Sequence, residues 1–468
     1  MARIAPVNAR GTRDFLPRDL VRRNRVFALL RATFERYGFE PLETPSIENT
    51  SVLEGKYGEE GDRLLFRILK RGRELESGVR ALDALSLGER STAAMSRALS
   101  DEALRYDLTV PFARVIAAHQ NDIVLPFRRY QMQPVWRADK PQRGRYREFY
   151  QCDVDCVGSR SMTVDAEMVA IHQEVFAALG FSGVVTRINH RGLLAALMAT
   201  CDVPEEQYVA TLTTMDKLDK IGLDGVRTEL SKASLSDAAV DRLTQAMGLT
   251  GTPETIIESL RPIVGSNPMG AQALDELAQV FGYLADMGVP AERLRFDLSV
   301  VRGLGYYTGT IYETVLTNST LGSLGGGGRY DQLIGMFLGR DLPCVGISFG
   351  LERIFDALDE QELARDEVTT TTQALVTLFA AETLASSFAL ATELRAAGIR
   401  TEVYTEPKDL RPQLTFASKK GIPLALILGP DELANDTVAL RDLRAGAQRI
   451  VPRSETVAAV QSLLTGES

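Results

Sequence analysis

Cysteine and histidine are scarce in this chain, and long apolar runs are missing. Four cysteines in 468 residues are too few for a disulfide framework, so we expect a reduced, cytoplasmic setting. The three histidines lie far apart, and none stands near a cysteine pair with zinc-finger spacing, so we expect no protein-held metal. No apolar run approaches the roughly 20 residues of a membrane helix, and we expect no signal peptide. These absences exclude disulfide-rich, zinc-finger and membrane-spanning proteins.

The composition is that of a folded protein whose positive charge is concentrated in one segment. The 468 residues are 45% hydrophobic and 25% charged, which is ordinary for roughly two to four globular domains. A net charge of −9 argues against a protein coated with nucleic acid. Residues 126–147 depart from this average, because they contain seven basic residues and one acidic residue, Asp139. The segment is either a solvated basic strand pair or the binding site of an anionic ligand.

Period-two patterns predict strands whose polar faces come together. One face carries Asp107, Thr109, Gln151 and Asp155, and we expect Arg137 opposite the last two. Such a face suits the polar floor of a pocket. The strands predicted over 129–137 and 146–156 are joined by a loop rich in turn formers, which predicts a long antiparallel hairpin. The predicted elements are a helix over residues 17–38 and strands over 104–110, 129–137 and 146–156.

The pattern changes twice along the chain. From residue 191 to 289 it becomes helical, with candidate helices at 191–200, 236–247 and 270–287. Strand patterns then resume, and after a short low-complexity stretch strands alternate with helices, which indicates an α/β module. The later predicted strands are 294–300, 306–315, 344–349, 374–379, 399–404 and 423–428, and the later helices are 350–358, 383–397, 408–420 and 454–464. We therefore predict a core of residues 1–190 and 290–360, a helical insertion of 191–289, a linker of 361–372 and a C-terminal domain of 373–468.

Two glycine-rich strings differ from the common nucleotide-binding loops. Residues 322–328 are followed by Arg-Tyr where a Walker loop has Gly-Lys-Ser/Thr, and residues 303–309 are one residue too long for a dinucleotide fingerprint. Taken alone, each string indicates close packing or a tight turn.

Taken in order, five strings resemble one family. Residues 11–17 (GTRDFLP), 136–151 (WR through GRYREFYQ) and 346–353 (GISFGLER) resemble the three motifs of class II aminoacyl-tRNA synthetases. Residues 301–309 (VRGLGYYTG) and 327–331 (GGRYD) resemble the two signature peptides of the histidyl-tRNA synthetase family. Many relatives have Asp where this chain has Gly305.

The resemblance implies an α+β fold and a ligase activity. The fold would be an antiparallel catalytic sheet flanked by helices, with the helical insertion and a C-terminal α/β anticodon-binding domain at 373–468. The reaction would activate L-histidine with ATP and transfer it to the 3′ end of tRNA(His), as a histidine–tRNA ligase does. The implied protein is a homodimer, with Mg²⁺ entering on ATP and with no membrane partner.

The resemblance also implies the site residues. Arginine suits phosphate because guanidinium offers paired donors and keeps its charge. A carboxylate and a tyrosine hydroxyl can contact both ends of a neutral imidazole. The implied catalytic residues are Arg302 and Arg137; the residues for histidine are Asp107, Leu108, Thr109, Gln151, Asp155, Arg302, Tyr306, Tyr307 and Tyr330; those for ATP are Arg137, Arg145 and Arg353.

Several alternatives stay open at this point. A regular strand would point Tyr306 and Tyr307 to opposite faces, so either Gly305 distorts the strand start or only one ring, by preference Tyr307, reaches the imidazole. The tyrosines could pack in the core, and Asp107 and Asp155 could pair with arginines of the sheet. Two other functions are a regulatory paralogue that binds histidine without charging tRNA, and a non-catalytic RNA-binding or dimerisation module. The presence of Arg302 and of residues 373–465 disfavours the first, and Arg137, Gln151, Asp155 and Arg353 together disfavour the second.

Overall fold

The structure is a computed structural model that describes residues 4–56, 58–86, 88–142, 144–233, 235–301, 305–363 and 369–466. The chain divides into two compact units, one within Met1–Arg13 and Leu29–Leu363 and the other within Asp14–Ala28 and Ala364–Ser468. None of the helices in these described ranges combines the length and apolar character that crossing a bilayer requires.

The elements up to residue 363 are as follows. The strands are β1 (Glu40–Pro41), β2 (Ile47–Asn49), β3 (Arg67–Ile68), β4 (Glu102–Leu104), β5 (Phe127–Trp136), β6 (Glu148–Val157), β7 (Val184–His190), β8 (Leu294–Phe296), β9 (Thr310–Leu316), β10 (Gly325–Arg329) and β11 (Cys344–Gly350). The helices are α1 (Pro17–Arg36), α2 (Thr50–Leu53), α3 (Gly58–Arg63), α4 (Gly72–Asp83), α5 (Thr92–Leu99), α6 (Thr109–Ala118), α7 (Met162–Ala178), α8 (Arg191–Thr200), α9 (Tyr208–Met215), α10 (Leu218–Lys232), α11 (Asp237–Met247), α12 (Pro253–Val264), α13 (Pro268–Asp286), α14 (Gly335–Leu338) and α15 (Leu351–Glu360).

The main sheet of the first unit has the strand order β1-β5-β6-β11-β10-β9-β7-β8. The five pairings that join β5, β6, β11, β10, β9 and β7 in this order are all antiparallel. The edge strands pair in parallel, β1 with β5 and β8 with β7. Helix α7 buries apolar side chains such as Val169 and Phe176, and the ring of Phe176 lies 5.9 Å from that of Phe349 on β11. The expected α+β fold with an antiparallel central sheet is therefore confirmed.

Several predicted elements before residue 363 match the structure closely. The helix predicted over 17–38 is α1, and the hairpin predicted over 129–156 is formed by β5 and β6. The described residues from 191 to 286 form helices, with no strand among them. Their boundary with the core stays a prediction, because these helices belong to the same unit as the sheet.

The strand predicted over 104–110 is wrong. Strand β4 ends at Leu104, and α6 begins at Thr109. An Asp107 carboxylate oxygen accepts a hydrogen bond 3.1 Å long from the backbone N–H of Val110, in the first turn of that helix. Pro111 is also tolerated there because the first turn needs no N–H from it. Asp107, with Pro111 four residues later, was the missed signal of a helix start.

Two further strand predictions are too long. β8 stops at Phe296 and β9 starts at Thr310, so residues 297–300 and 306–309 are not strand. Asp297 explains the first difference, because one carboxylate oxygen accepts hydrogen bonds from both the backbone N–H and the hydroxyl of Ser299 and turns the chain.

The elements after residue 369 are β12 (Ala374–Val376), β13 (Thr401–Val403), β14 (Leu424–Ile427), β15 (Thr437–Asp442), β16 (Ala447–Pro452), α16 (Leu384–Ala396), α17 (Leu410–Lys420), α18 (Pro430–Ala434) and α19 (Thr456–Thr465). They belong to the second unit, whose smaller sheet has the order β13-β12-β14-β15-β16, with β12 parallel to β13 and β14. The three predicted strands and three predicted helices of the α/β module are present. The hairpin of β15 and β16 and the short α18 were not predicted.

Candidate active site

Two adjoining cavities are lined by residues of β6, β10 and β11. The smaller has a volume of about 100 Å³ and the larger about 290 Å³. They share Arg137, Gln151, Gly326 and Ser348. The smaller cavity is also lined by Asp107, Thr109, Asp153, Asp155, Tyr306, Tyr307, Gly327, Tyr330, Gly346 and Ile347. The larger is also lined by Asp139, Gly144, Arg145, Tyr146, Phe149, Ser323, Gly325, Gly350, Glu352 and Arg353.

Asp155 is held in place at the smaller cavity by two partners. Arg129 lies directly across from it in the β5–β6 register, with Nη2 2.8 Å from a carboxylate oxygen of Asp155. The hydroxyl of Tyr330 donates a hydrogen bond to the other oxygen. Arg129 is fully buried, with its guanidinium 4.3 Å from the ring centre of Phe112. Burial raises the pKa of Asp155, and the Arg129 charge opposes that rise.

The pairing differs from the expected position of Arg137. Gln133 faces Gln151 and Arg129 faces Asp155, whereas Arg137 follows the end of β5. Arg129 was not among the predicted site residues. Its place on the same face as Asp155 was the available signal.

Asp153 is a third cavity carboxylate, and sequence reasoning missed it. It lies between Gln151 and Asp155 on the same face of β6 and is only 2% exposed. Burial raises its pKa to about 7, because the loss of hydration outweighs the opposing charge of Arg129. One of its oxygens is buried without a hydrogen bond from any described residue, and so is the side-chain oxygen of Gln151. The smaller cavity is therefore rich in acceptors that a bound donor group could satisfy.

Glycine makes room for these carboxylates. A Cβ at Gly346 would lie 1.9 Å from a carboxylate oxygen of Asp155, and one at Gly327 would lie 2.0 Å from the carbonyl oxygen of Gly346. Such distances are far below van der Waals contact, so β10, β11 and the Asp155 side chain can approach this closely only at glycine.

The three predicted tyrosines meet at the smaller cavity. The rings of Tyr306 and Tyr307 are 4.9 Å apart, and that of Tyr330 is 5.7 Å from Tyr306. Both Tyr306 and Tyr307 reach the cavity because residues 305–309 form a turn before β9 and not a strand. Burial raises the pKa of all three hydroxyls, so each stays protonated at neutral pH and can donate and accept hydrogen bonds.

The start of α6 supplies two more predicted residues. Asp107 and Thr109 line the smaller cavity. Leu108 lies between them but is fully buried, and its side chain lines neither cavity. Its carbonyl oxygen accepts a 3.4 Å hydrogen bond from Arg129.

Arginines surround the larger cavity. The Arg137 guanidinium lies 4.3 Å from the ring centre of Tyr106 and 5.1 Å from that of Phe149, and its Nε donates to the carbonyl oxygen of Tyr106. These contacts preorganise a cation between the two cavities. Arg145 is half-exposed, with its Nε 3.9 Å from Asp139.

The N-terminus of α15 closes the larger cavity. Gly350 precedes this helix, and Arg353 in its first turn donates a 2.8 Å hydrogen bond to the carbonyl oxygen of Ser323. Glu352 is paired with Arg13, whose guanidinium stacks 3.5 Å from the ring centre of Tyr146. A helix N-terminus and an arginine together favour an anion.

Arg302, predicted as catalytic, and Arg143 of the basic segment lie outside the described residues. In the described part of the chain, no three His, Cys, Asp or Glu side chains come together as metal ligands. Cys152 and Cys156 are buried in the core.

Comparison with known proteins gives a consistent result. The family model described as histidyl-tRNA synthetase matches residues 96–354, and the one described as anticodon binding domain matches residues 373–463. The chain is 41% identical over 452 residues to the histidine–tRNA ligase of Cytophaga hutchinsonii, covering 97% of this chain and 98% of that protein. It is 42% identical over 464 residues to the histidine–tRNA ligase of Gloeobacter violaceus, covering 94% and 95%. The crystal structure of histidyl-tRNA synthetase from Nostoc sp. PCC 7120 superposes with a TM-score of 0.83 at 31% identity, covering 98% of this chain and 99% of that one.

Proposed function

Since the chain belongs to the histidyl-tRNA synthetase family, we propose that its smaller cavity binds L-histidine and its larger cavity binds the ATP with which histidine is activated. The activity is that of a histidine–tRNA ligase. One observation carries the assignment of the two cavities. They adjoin at Arg137, with carboxylates and tyrosines on one side and Arg145 and Arg353 on the other.

The chemistry of the smaller cavity suits histidine. Asp155 and the tyrosine hydroxyls offer an acceptor and donors for the two imidazole nitrogens. The α-ammonium group brings three donors and a positive charge, which Asp107, Thr109 and the unpartnered oxygen of Gln151 can accept. Asp153 adds a further acceptor, so this side of the cavity favours a cation over a neutral group.

Arg137 stands where the two substrates would react. The carboxylate of histidine attacks the α-phosphate of ATP, a bond forms between carboxylate oxygen and phosphorus, and pyrophosphate leaves. Both reactants are negatively charged, so a fixed cation between them lowers their repulsion and stabilises the transition state. We assign that role to Arg137 and, from the sequence resemblance, to Arg302. Arg353 and the N-terminus of α15 are suited to the terminal phosphates, and Arg145 to the phosphates or the base.

Mg²⁺ is expected to enter with ATP and to supply charge neutralisation on the phosphates. The described lining of the larger cavity includes two carboxylates, Asp139 and Glu352. Each already has a cationic neighbour, Arg145 and Arg13 respectively. Phosphate oxygens and water would therefore supply most of the ligands of the ion.

The remaining partners follow from the family. The second step passes histidine to the 3′ end of tRNA(His), with the basic loop at 140–145 near the acceptor stem. The domain at 373–468 would contact the anticodon arm through Lys408, Arg411, Lys419 and Lys420 on and before α17. We further propose a cytoplasmic homodimer whose two-fold interface is formed by the helix and strand of the first motif, the motif that includes residues 11–17. Light scattering should report about 103 kDa, twice the 51.3 kDa chain, and a monomer at micromolar concentration would contradict the dimer.

Pyrophosphate exchange with two variants tests the assignment of the cavities. Tyr330→Phe removes the hydroxyl that donates a hydrogen bond to Asp155. It should raise KM for histidine roughly tenfold and leave KM for ATP nearly unchanged. Arg353→Ala should do the reverse. Arg340→Ala changes an exposed arginine that lines neither cavity and serves as control. Equal effects of both variants on both substrates would contradict the assignment.

A further inference from the structure

The junction of β7 and α8 holds both flanks of the loop that carries two cavity tyrosines. β7 ends at His190 and α8 begins at Arg191, so strand passes into helix without a connecting loop. The loop runs from Val301 to Gly309 and carries Tyr306 and Tyr307; its residues 302–304 lie outside the described ranges.

Arg191 contacts both ends of this loop. Its guanidinium Nη1 donates a 3.1 Å hydrogen bond to the carbonyl oxygen of Val301. Its backbone N–H donates a 2.8 Å hydrogen bond to the carbonyl oxygen of Gly309. Arg191 is half-buried but lines neither cavity, so any influence it has on substrate must pass through the loop. Burial lowers its pKa, and Tyr307 is the neighbouring group that acts in the opposite direction.

The residues beside Arg191 make the junction rigid. Asn189 is fully buried, and its amide donates to the carbonyl oxygens of Leu298 and Val300, 3.3 and 3.0 Å away. One ring nitrogen of His190 accepts from the backbone N–H of Gly192, and the other lies 2.8 Å from a carboxylate oxygen of Glu276 on α13. The entry side of the loop is thus bound at three carbonyl groups to a junction that is itself tied to the helices of residues 191–286.

We propose that Arg191 is a positioning residue for histidine binding, which fixes the two ends of the 301–309 loop and so presents Tyr306 and Tyr307 to the substrate. This inference rests on the proposed placement of histidine against these tyrosines. A guanidinium suits the task because it reaches a carbonyl across the junction and keeps its charge when half-buried. Freeing one end of the loop would let the rings sample other positions, and binding would then have to restore their order.

Hydrogen exchange on the full-length protein tests the structural half of the inference. Arg191→Ala should increase exchange in peptides that cover residues 298–310, because a flank that has lost its hydrogen bond opens more often. Arg242→Ala is the matched control, since Arg242 donates a 2.8 Å hydrogen bond to the carbonyl oxygen of Thr200 at the other end of α8. That control should leave the same peptides unchanged. Unchanged exchange in Arg191→Ala would overturn the inference.

Pyrophosphate exchange tests the functional half. Arg191→Ala should raise KM for histidine about tenfold, the scale of losing one hydrogen bond to a charged group, and leave KM for ATP within about twofold. Arg191→Lys, which keeps the charge and the backbone contact to Gly309, should restore part of the loss. A loss of general stability alone would not separate the two substrates, so equal KM changes or none would overturn the inference.

A further variant separates this inference from the proposed histidine site. If histidine binds against Tyr307, Tyr307→Ala should raise KM for histidine whether or not Arg191 positions the loop. If Tyr307→Ala raises KM for histidine and Arg191→Ala does not, only the role of Arg191 is overturned. If neither variant changes it, the histidine assignment and the inference that rests on it are both overturned.

Discussion

Arg302 shares with Arg137 the catalytic role proposed above, and it lies outside the described residues. In the sequence, this permanently charged residue directly follows Val301 and belongs to the same 301–309 segment as Tyr306 and Tyr307. Charge at the α-phosphate develops most during attack, so a preorganised cation stabilises that moment more than ground-state binding.

Arg302→Ala should therefore lower kcat for adenylate formation by roughly 10²–10³, about 3–4 kcal/mol, with a much smaller change in KM for histidine. Arg302→Lys should rescue activity only partly, since a point charge cannot reproduce the guanidinium fork. Pyrophosphate exchange on the two variants measures both constants. A raised KM with an intact kcat would make Arg302 a binding residue.

Asp153 gives a pH-dependent prediction. Burial raises its pKa from the usual carboxyl range to about 7. Between about pH 4 and pH 7 the folded chain therefore binds a proton that the unfolded chain has released, and this group makes stability fall as pH rises through that window. Asp107 and Asp155 add to the effect, and Arg129 opposes it.

Asp153→Asn removes this titration. The Tm of the variant relative to the unchanged protein should rise between pH 5 and pH 8 by roughly 2 °C or more, as calorimetry without substrate would show. Asp286→Asn, which changes an exposed carboxylate outside both cavities, serves as control. A Tm difference that is the same at both pH values would contradict the raised pKa.

At the scale of elements, the site depends on how closely β10, β11 and β6 approach one another. Gly346 faces Asp155 across the β6–β11 pair, and a side chain there would occupy the position of the carboxylate. The Asp155 pairing with Arg129 and Tyr330 would be broken, which leaves a buried charge without its partners.

Gly346→Ala should consequently raise KM for histidine by roughly 10²-fold or more and lower Tm, because Asp155 must move. Gly282→Ala is a matched control: apart from the neighbouring backbone of its own helix, no described atom lies within 4 Å of a Cβ there, and alanine in the interior of α13 should be neutral or stabilising. Pyrophosphate exchange and thermal unfolding measure both variants. A functional Gly346→Ala protein would show that Asp155 does not need this position.

At the scale of the whole molecule, the C-terminal module has a hydrophobic core of its own. The side chains of Leu390, Leu394, Leu424, Leu426 and Leu440 are among those that pack together within residues 374–464. Both cavities, in contrast, are lined by residues numbered below 354. Adenylate formation and recognition of the anticodon arm are therefore expected to separate.

A chain ending at Glu367 should keep most histidine-dependent pyrophosphate exchange and should aminoacylate tRNA(His) poorly, because the proposed anticodon contacts are removed. Aminoacylation with labelled histidine, run beside the exchange assay, measures the two steps separately. Undiminished aminoacylation by the truncated chain would contradict the role proposed for residues 373–468.

The residues alone were sufficient for features that depend on local pattern. The apolar spacing before Gly38 predicted α1, alternation predicted the β5–β6 hairpin, and ordered motifs predicted the family. Each of these signals is carried by neighbours in sequence, which share a helix face or a strand face whatever the rest of the chain does. The prediction failed at 104–110 because alternation there coincided with the start of a helix, where a capping Asp and a Pro outweigh the pattern.

Only the tertiary structure decided which polar groups share one cavity. Arg129 and Asp155 face each other within the β5–β6 hairpin, but the groups that surround Asp155 from elsewhere are far along the chain. Gly346 of β11 lies opposite Asp155, and Tyr330, the residue after β10, donates a hydrogen bond to it. The raised pKa of Asp153 likewise comes from burial, which no local pattern encodes. The contact of Arg191 with Val301 joins residues 110 positions apart. Sequence motifs identified the chemistry, and the packing of distant segments determined which side chains carry it, because hydrogen bonds and desolvation act through space and not along the chain.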